Sequence, residues 1–333
     1  MSKYQKYKRK SSEEKKKEIR DLTKEATEKM RNVSTDPKEV KDYLDFMSKF
    51  HKYSAKNQTL LNSQYDGANA VGSAKRWKDD HELYIRKGQK ALKVFAPTKY
   101  DLYNVEGKKL TFTQLNKSQQ AQAKSGGLND KKSQVTGFKL VPVFDVTQTT
   151  AKPEDYPKFY PNRPQQYNYN GKYLDNLKEA MLTTTKKENI AVKDKETIHN
   201  AARGYYNPEK QVIAMSDNST DTEFVHTLSH ELAHHKLHRN ETEMSTGLKE
   251  VEAEMTAYVV SKHFGIDTEK QSMEYMNGWS RDMKDTESIE ASLERIQKTS
   301  HSIIEGVTSE LESGMKQSLE KKKTLNRMNE REL

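Results

Sequence analysis

"HTLSHELAHH", residues 226–235, decides how this chain is read. It holds four histidines and one glutamate in ten residues. His230, Glu231 and His234 form H-E-x-x-H. On a helix, residues four apart lie on one face, one turn from each other. Both imidazoles can then reach one tetrahedral zinc ion at ~2.0–2.1 Å. Glu231 projects beside the first ligand, placed to take a proton from water and pass it to a leaving amine. Zinc lowers the pKa of its water to ~7, so hydroxide is available at neutral pH. The flanking "TDTEFVHTLSHELAHHKLH" supplies the helix: Phe224, Leu228 and Leu232 alternate with a polar face, and Asp221 sits near its N-terminus.

A catalytic zinc needs a third protein ligand. His238 is a further turn along the same helix, too far to share an ion with His230. An H-E-x-x-H-x-x-G-x-x-H pattern would need Gly at 237 and His at 240. Leu237 and Asn240 stand there, which excludes that class. The remaining route is a glutamate from a following helix. "KEVEAEMTAYVV", 249–260, offers Glu250, Glu252 and Glu254. Glu250 and Glu254 share a face, and Glu252 points roughly away. Glu250 on zinc, with Glu254 hydrogen-bonded to a ligand histidine, would satisfy the ion and orient the ring. Ala253 and Ala257 would let the two helices pack closely. His226 reads as a partly buried polar residue, and His235 and His238 as facing solvent or lining the rim.

The rest of the chain sets the context. Its 333 residues suggest about two domains. A formal net charge of +9 favours a polyanionic partner, most simply nucleic acid. The absence of cysteine removes disulfides, thiolate zinc sites and cysteine nucleophiles, and suits a reducing compartment. The N-terminal MSKYQKYKRK lacks the apolar run of a secretory signal, and no stretch approaches the ~20 apolar residues of a membrane span. A cytoplasmic protein without membrane contact is expected.

Residues 1–32 carry 12 Lys/Arg against 6 Asp/Glu. Ser11 and Glu14 have capping-box spacing, so a solvated, basic helical extension is expected over 1–37. Asp36-Pro37 starts a second helix with an apolar stripe of Leu44, Met47 and Phe50. "YSAKNQTLLNSQY", 53–65, reads as a helix. A strand follows at 91–96, a turn at 104–107, and a Gln/Lys/Ser/Gly-rich flexible insertion at 114–134. "GFKLVPVFDVTQT", 137–149, alternates like a strand. Pro153, Pro157, Pro161 and Pro164 mark a linker over 151–165. Beyond it come a helix (171–185), a strand (189–193), a hairpin (204–215), two helices (220–239 and 245–264) and a charged helical end, with a charged tail at 313–333.

"LSHELAHHKLH" followed by "EVEAEMTAYVV" resembles the IrrE/ImmA-like zinc peptidases and, more closely, the C-terminal domain of ArdC-type antirestriction proteins. The resemblance implies His230, His234 and Glu250 as ligands, Glu231 as base and Glu254 as support for a histidine. The hairpin "GYYNPEKQVIAM" is similar to the strand pair that precedes the family's motif helix, and it offers an edge strand to an extended peptide. "YSAKNQTLLNSQY", "RWKDD", "IRKGQKALKVFAP" and "VPVFDVTQT" resemble, in order, the N-terminal single-stranded DNA-binding domain of ArdC and LtrC-type proteins. The resemblance covers roughly 38–310. The basic first thirty residues, the 114–134 insertion and the charged tail depart from it.

Single-strand binding needs a positive groove and aromatic faces on which bases stack. Tyr53, Trp77, Tyr84 and Phe95 lie among lysines and arginines, with Phe95 read as core. The candidate DNA contacts are Tyr53, Asn57, Gln58, Trp77, Lys87 and Lys90. The expected fold is α+β in two domains: single-stranded DNA binding at 38–150 and a zincin-like metallopeptidase at 166–312. The expected function is a DNA-binding zinc metallopeptidase of antirestriction or mobile-element transfer, with a protein or peptide substrate that the sequence leaves unidentified. The alternative is a DNA-binding protector whose zinc is structural or vestigial. Tyr205, Tyr206 and Tyr258 stand unranked as general acid or oxyanion donor.

Overall fold

A computed structural model describes residues 11–33, 36–128, 131–160, 171–196, 203–217, 219–282 and 285–329. The expectations for the first ten residues, Pro161, Pro164 and the last four residues lie outside them. Helix α1 (Ser12–Val33) opens on the expected reciprocal cap: the Ser11 hydroxyl accepts from the Glu14 N–H at 3.1 Å, and Glu14 accepts from the Ser11 N–H at 2.6 Å. It is not merely a solvated extension, because Ala26, Met30 and Val33 are buried. Helix α2 (Pro37–Lys49) starts on Asp36, whose carboxylate accepts from the Lys38 N–H.

The N-terminal sheet is antiparallel in the order β1-β4-β2-β3 (Val71–Gly72, Leu92–Val105, Lys108–Thr111, Lys131–Asp145, numbered along the chain). Its centre is the long β2–β4 ribbon, with a bulge at Thr98/Lys99. The expected turn joins β2 to β3, and Glu106 (φ 53°) and Gly107 (φ 79°) both take the left-handed conformation that a tight hairpin requires. Helix α3 (Ala55–Gln64) packs beside β2, and α4 (Ala74–His81) follows β1.

Two expectations are corrected here. Residues 114–134 are largely regular: α5 (Lys117–Lys124) is capped by Asn116 with Gln119 reciprocating, and β4 begins at Lys131. Glutamine is a good helix former, so the composition that read as flexible supports a helix once capped. The Pro-rich segment is not a free linker where it is described. Pro153–Phe159 is a 3₁₀ turn, and Phe159 packs edge-on against Trp77 with centroids 5.8 Å apart.

The second sheet has the order β5-β7-β6 (Ala191–Glu196, Gly204–Asn207, Val212–Ser216), with β5 parallel and β6 antiparallel to β7. It follows α6 (Gly171–Lys187) and leads into α7 (Asp221–His238), α8 (Thr246–His263), α9 (Glu269–Asp282) and α10 (Thr286–Asn329). The stretch set apart as a tail from 313 continues α10.

Leu228, Leu232, Met255, Val259, Leu293, Ile296 and Ile303 form the large core, and it takes in Met30, Val33, Val40, Tyr43, Leu44 and Met47 from α1 and α2. The expected boundary at residue 38 therefore does not fall in a gap of the core. His51, His263 and His301 meet where the end of α2 touches α8 and α10. Burial first, then His263, His301 and Lys52, push the His51 imidazole down to about 2, so it is neutral near pH 7. No helix among the described residues is long and apolar enough to cross a membrane.

Candidate metal centre

Thr220 caps α7 and Glu223 returns the bond, fixing the start of the helix six residues before His226. Gly204 brings β6 hard against α7. A Cβ there would meet the Thr227 methyl at 2.8 Å and the Ala214 carbonyl at 2.9 Å. Ala253 and Ala257 are fully buried and let α8 approach α7 as expected.

The closely packed helices bring three donors together. His230 Nε2 and His234 Nε2 are 3.1 Å apart. Glu250 Oε2 lies 3.5 Å from the first and Oε1 3.3 Å from the second. Ligands around one tetrahedral ion at 2.0–2.1 Å stand ~3.3 Å from each other. Two imidazoles and a carboxylate at this spacing fit a divalent transition ion, in the arrangement expected from the sequence.

Glu254 sits behind the pair. His230 Nδ1 and Glu254 Oε2 are 3.1 Å apart, and the ring N–H donates. The other carboxylate oxygen takes His226 Nε2 at 3.1 Å and Ser272 Oγ at 2.6 Å. Burial alone would raise the Glu254 carboxyl, but hydrogen bonds from His226 and His230 hold it well below the usual range. His226 is thus part of the site's support. Its position four residues before His230, on the same face, was the signal for that role. Ser272 arrives from α9 and had no sequence signal.

His234 has its own support. Its Nδ1 faces His238 Nδ1 at 3.2 Å, and His238 Nε2 faces Glu252 Oε2 at 3.7 Å. Arg295 of α10 grips Glu252 from the far side, with Nε 2.9 Å from Oε2. Glu252 does point away from the ligand triad, as read, and its buried carboxylate pairs with the partly exposed Arg295. His235 and His238 are largely buried, His238 lines the cleft as one of the two readings expected, and Tyr206 Oη pairs with His235 Nδ1 at 2.8 Å. Each is covered by an element from elsewhere in the chain, which helical periodicity does not reveal.

Gly204, Tyr205, Tyr206, Glu231, Arg239 and the triad line an open cleft of about 400 Å³. Glu231 is 8% exposed, and burial raises its carboxyl, opposed by His230 and His234. β6 is the edge strand of its sheet, as the hairpin reading expected. Of the three tyrosines, Tyr258 is buried and donates to Asp45 at 2.7 Å, on the α2 side, away from the cleft. Tyr206 is engaged by His235, and Tyr205 is 51% exposed at the cleft.

Most candidate DNA contacts have other partners. Trp77 is 4% exposed, and its Nε1 donates to the Phe144 carbonyl at 2.8 Å. Gln58 is fully buried, and its Nε2 donates to the Phe50 and Tyr53 carbonyls. Tyr53 packs with its ring edge-on to Phe50. Asn57 bonds both the N–H and the carbonyl of Phe95 (2.8 and 2.9 Å), and Gln64 does the same for Lys93 (2.8 and 2.9 Å). These two amides take the place of a neighbouring strand along the edge of β2. Buried Gln58 and Trp77 are corrected to structural residues, Asn57 is engaged by the sheet, and Tyr53 keeps a partly exposed ring. Lys87 and Lys90 are exposed. Phe95, read as core, is half-buried beneath Lys56, whose Nζ is 5.3 Å from the ring centre. Tyr84 and Phe138 are 56% and 66% exposed, and Phe138 was missed.

The fold and site define a class: residues 185–292 match the family model of a zincin-like metallopeptidase. Across 314 residues the chain is 33% identical to pXO2-81, an uncharacterized protein of Bacillus anthracis, covering 89% of this chain and 53% of that one. It thus spans about half the length of that curated relative. Solved structures similar to it include two of the antirestriction ArdC protein from the R388 plasmid. One is metal-free (18% identical, TM-score 0.44) and one Mn(II)-bound (17%, TM-score 0.43). The likeness covers 77% of this chain and 86% and 85% of theirs.

Proposed function

We propose that this protein is a zinc-dependent metallopeptidase that also binds single-stranded DNA and serves antirestriction during DNA transfer into a cell. The assignment gives DNA binding to the N-terminal sheet and its helices within 38–150, with α2 shared with the zincin-like core, and peptidase chemistry to 166–312. One observation carries the catalytic half: His230, His234 and Glu250 converge at ligand spacing in an open cleft that Glu231 also faces. His230, His234 and Glu250 would hold the ion, which when bound supplies an activated water and polarises a carbonyl. Glu231 takes the proton from the attacking water and delivers it to the leaving amine. Its burial and raised carboxyl suit it to hold that proton in between. β6 offers its free edge to an extended peptide, and Tyr205 stands at the same cleft to donate to the developing oxyanion.

The DNA half rests on exposed basic and aromatic residues. Lys87, Lys90 and Tyr84 are accessible in the loop after α4 and Phe138 on β4, and nonspecific single-strand binding needs both charge and ring faces. The antirestriction setting rests on the resemblance of the chain's ordered motifs to ArdC-type proteins.

Glu231→Gln separates catalysis from the other roles. The variant should keep its metal and its melting temperature and lose proteolysis by about 10²-fold or more. Unchanged antirestriction in cells carrying this variant would dismiss the peptidase reading in favour of a DNA protector with a structural ion.

A further inference from the structure

A second group of metal-ligating side chains lies outside the cleft. His51 follows α2, and His301 and Glu305 stand one turn apart on α10. His51 Nδ1 and His301 Nδ1 face each other at 3.1 Å, the separation also found between His230 Nε2 and His234 Nε2. The Glu305 carboxylate comes to 3.9 Å from His51 Nε2. The three residues can each offer a donor atom within 4.8 Å of the others. Around a tetrahedral ion such atoms stand ~3.3 Å apart, and His51 offers one ring nitrogen to it, so the exposed Glu305 side chain or the His301 ring must turn toward that nitrogen to complete the set.

The ring of His51 is held in advance. Its backbone carbonyl accepts from Gln297 Nε2 at 2.7 Å. Its face meets His263 edge-on at 4.8 Å between centroids, and His263 Nδ1 is fixed by the Ser48 carbonyl at 2.8 Å. Little entropy would be lost in ordering it on an ion. The other side is open: Glu305 is 46% exposed, and an ion can enter there. Lys52 Nζ lies 3.2 Å from Glu305 and is 63% exposed, so a divalent ion can displace it into water.

We propose that His51, His301 and Glu305 form a second site for a divalent transition metal, a clamp that ties the end of α2 to α10. Two imidazoles and one carboxylate select Zn²⁺, Co²⁺ or Ni²⁺ over Mg²⁺ and Ca²⁺, which take oxygen ligands. The ligands come from segments 250 residues apart in sequence. The ion would fasten the chain just ahead of α3 and the DNA-facing sheet to the last helix of the peptidase core. Its fourth position falls to water, and its role is structural.

The test removes the cleft site first. The double variant His230→Ala, His234→Ala, loaded with Zn²⁺ and desalted, should retain one equivalent by metal analysis. Zn²⁺ should raise its melting temperature, and Mg²⁺ should not. Adding His301→Ala should abolish both the retained equivalent and the shift. Glu305→Ala, at an exposed position, gives a second route: Zn²⁺ affinity should fall by at least about ten-fold. A folded double variant that retains no Zn²⁺, or retention untouched by both changes on α10, would overturn the site. Neither result depends on whether the cleft is catalytic.

Discussion

Glu254 holds two imidazoles with one carboxylate, and this explains how His230 is aimed. A ligand ring must present Nε2 and keep Nδ1 protonated, and an acceptor behind Nδ1 enforces both. Glu250→Ala should therefore abolish stoichiometric metal retention by removing a ligand. Glu254→Ala should keep the ligands and weaken metal affinity by about 10- to 100-fold. Titration with a competing chelator checks both, and equal effects from the two changes would contradict the division of roles. At this scale the sequence was informative where chemistry follows local spacing. H-E-x-x-H and the glutamate helix name His230, Glu231, His234 and Glu250, which line the cleft, and Glu254, which stands behind His230. It was uninformative for Ser272 and Arg295, which reach the site from helices whose approach no local pattern encodes.

Helix α3 meets the sheet through side-chain amides. Asn57 and Gln64, two turns apart, bond backbone groups of Phe95 and Lys93, alternate residues on the edge of β2. An open strand edge leaves its N–H and C=O groups unpaired, and a helix can cover it only with groups that donate and accept. Asn57→Ala should lower stability by about 1–3 kcal/mol through those orphaned groups. Chemical denaturation checks it, and a neutral result would show that water fills the edge equally well. Helix α8 is tied to α10 by Glu252 and Arg295. Burial opposes the Glu252 charge, but His238 and Arg295 overcome it and lower the carboxyl below the usual range. A carboxylate lowered on folding contributes stability that is complete above its unfolded value of about 4.3 and is lost as pH falls below it. In chelator, wild-type stability should fall with acid below about pH 4.3, and Glu252→Gln should flatten that slope by up to about 1.4 kcal/mol per pH unit. Parallel slopes would remove Glu252 from the acid response.

Helices α1 and α2 from the N-terminal side and the helices of the metal cleft share one core. For the proposed DNA contacts, Lys87→Ala and Lys90→Ala should weaken single-strand binding alike on all sequences. Each should reduce the slope of log affinity against log salt by about 0.7. Filter binding at several salt concentrations measures it, and unchanged slopes would move the DNA path elsewhere. Trp77→Ala should instead lower the melting temperature, since its ring is core. The sequence by itself determined the net positive charge, the motif helix, the hairpin before it and the glutamate helix after it. Each of these follows from composition or from periods of two and 3.6 residues. Only the tertiary structure decided that Trp77 and Gln58 are buried, that Asn57 serves the sheet and that α2 joins the zincin-like core. It alone also set His51 against His301. Those outcomes depend on which surfaces meet across long stretches of chain, and packing of distant faces leaves no local period in the sequence.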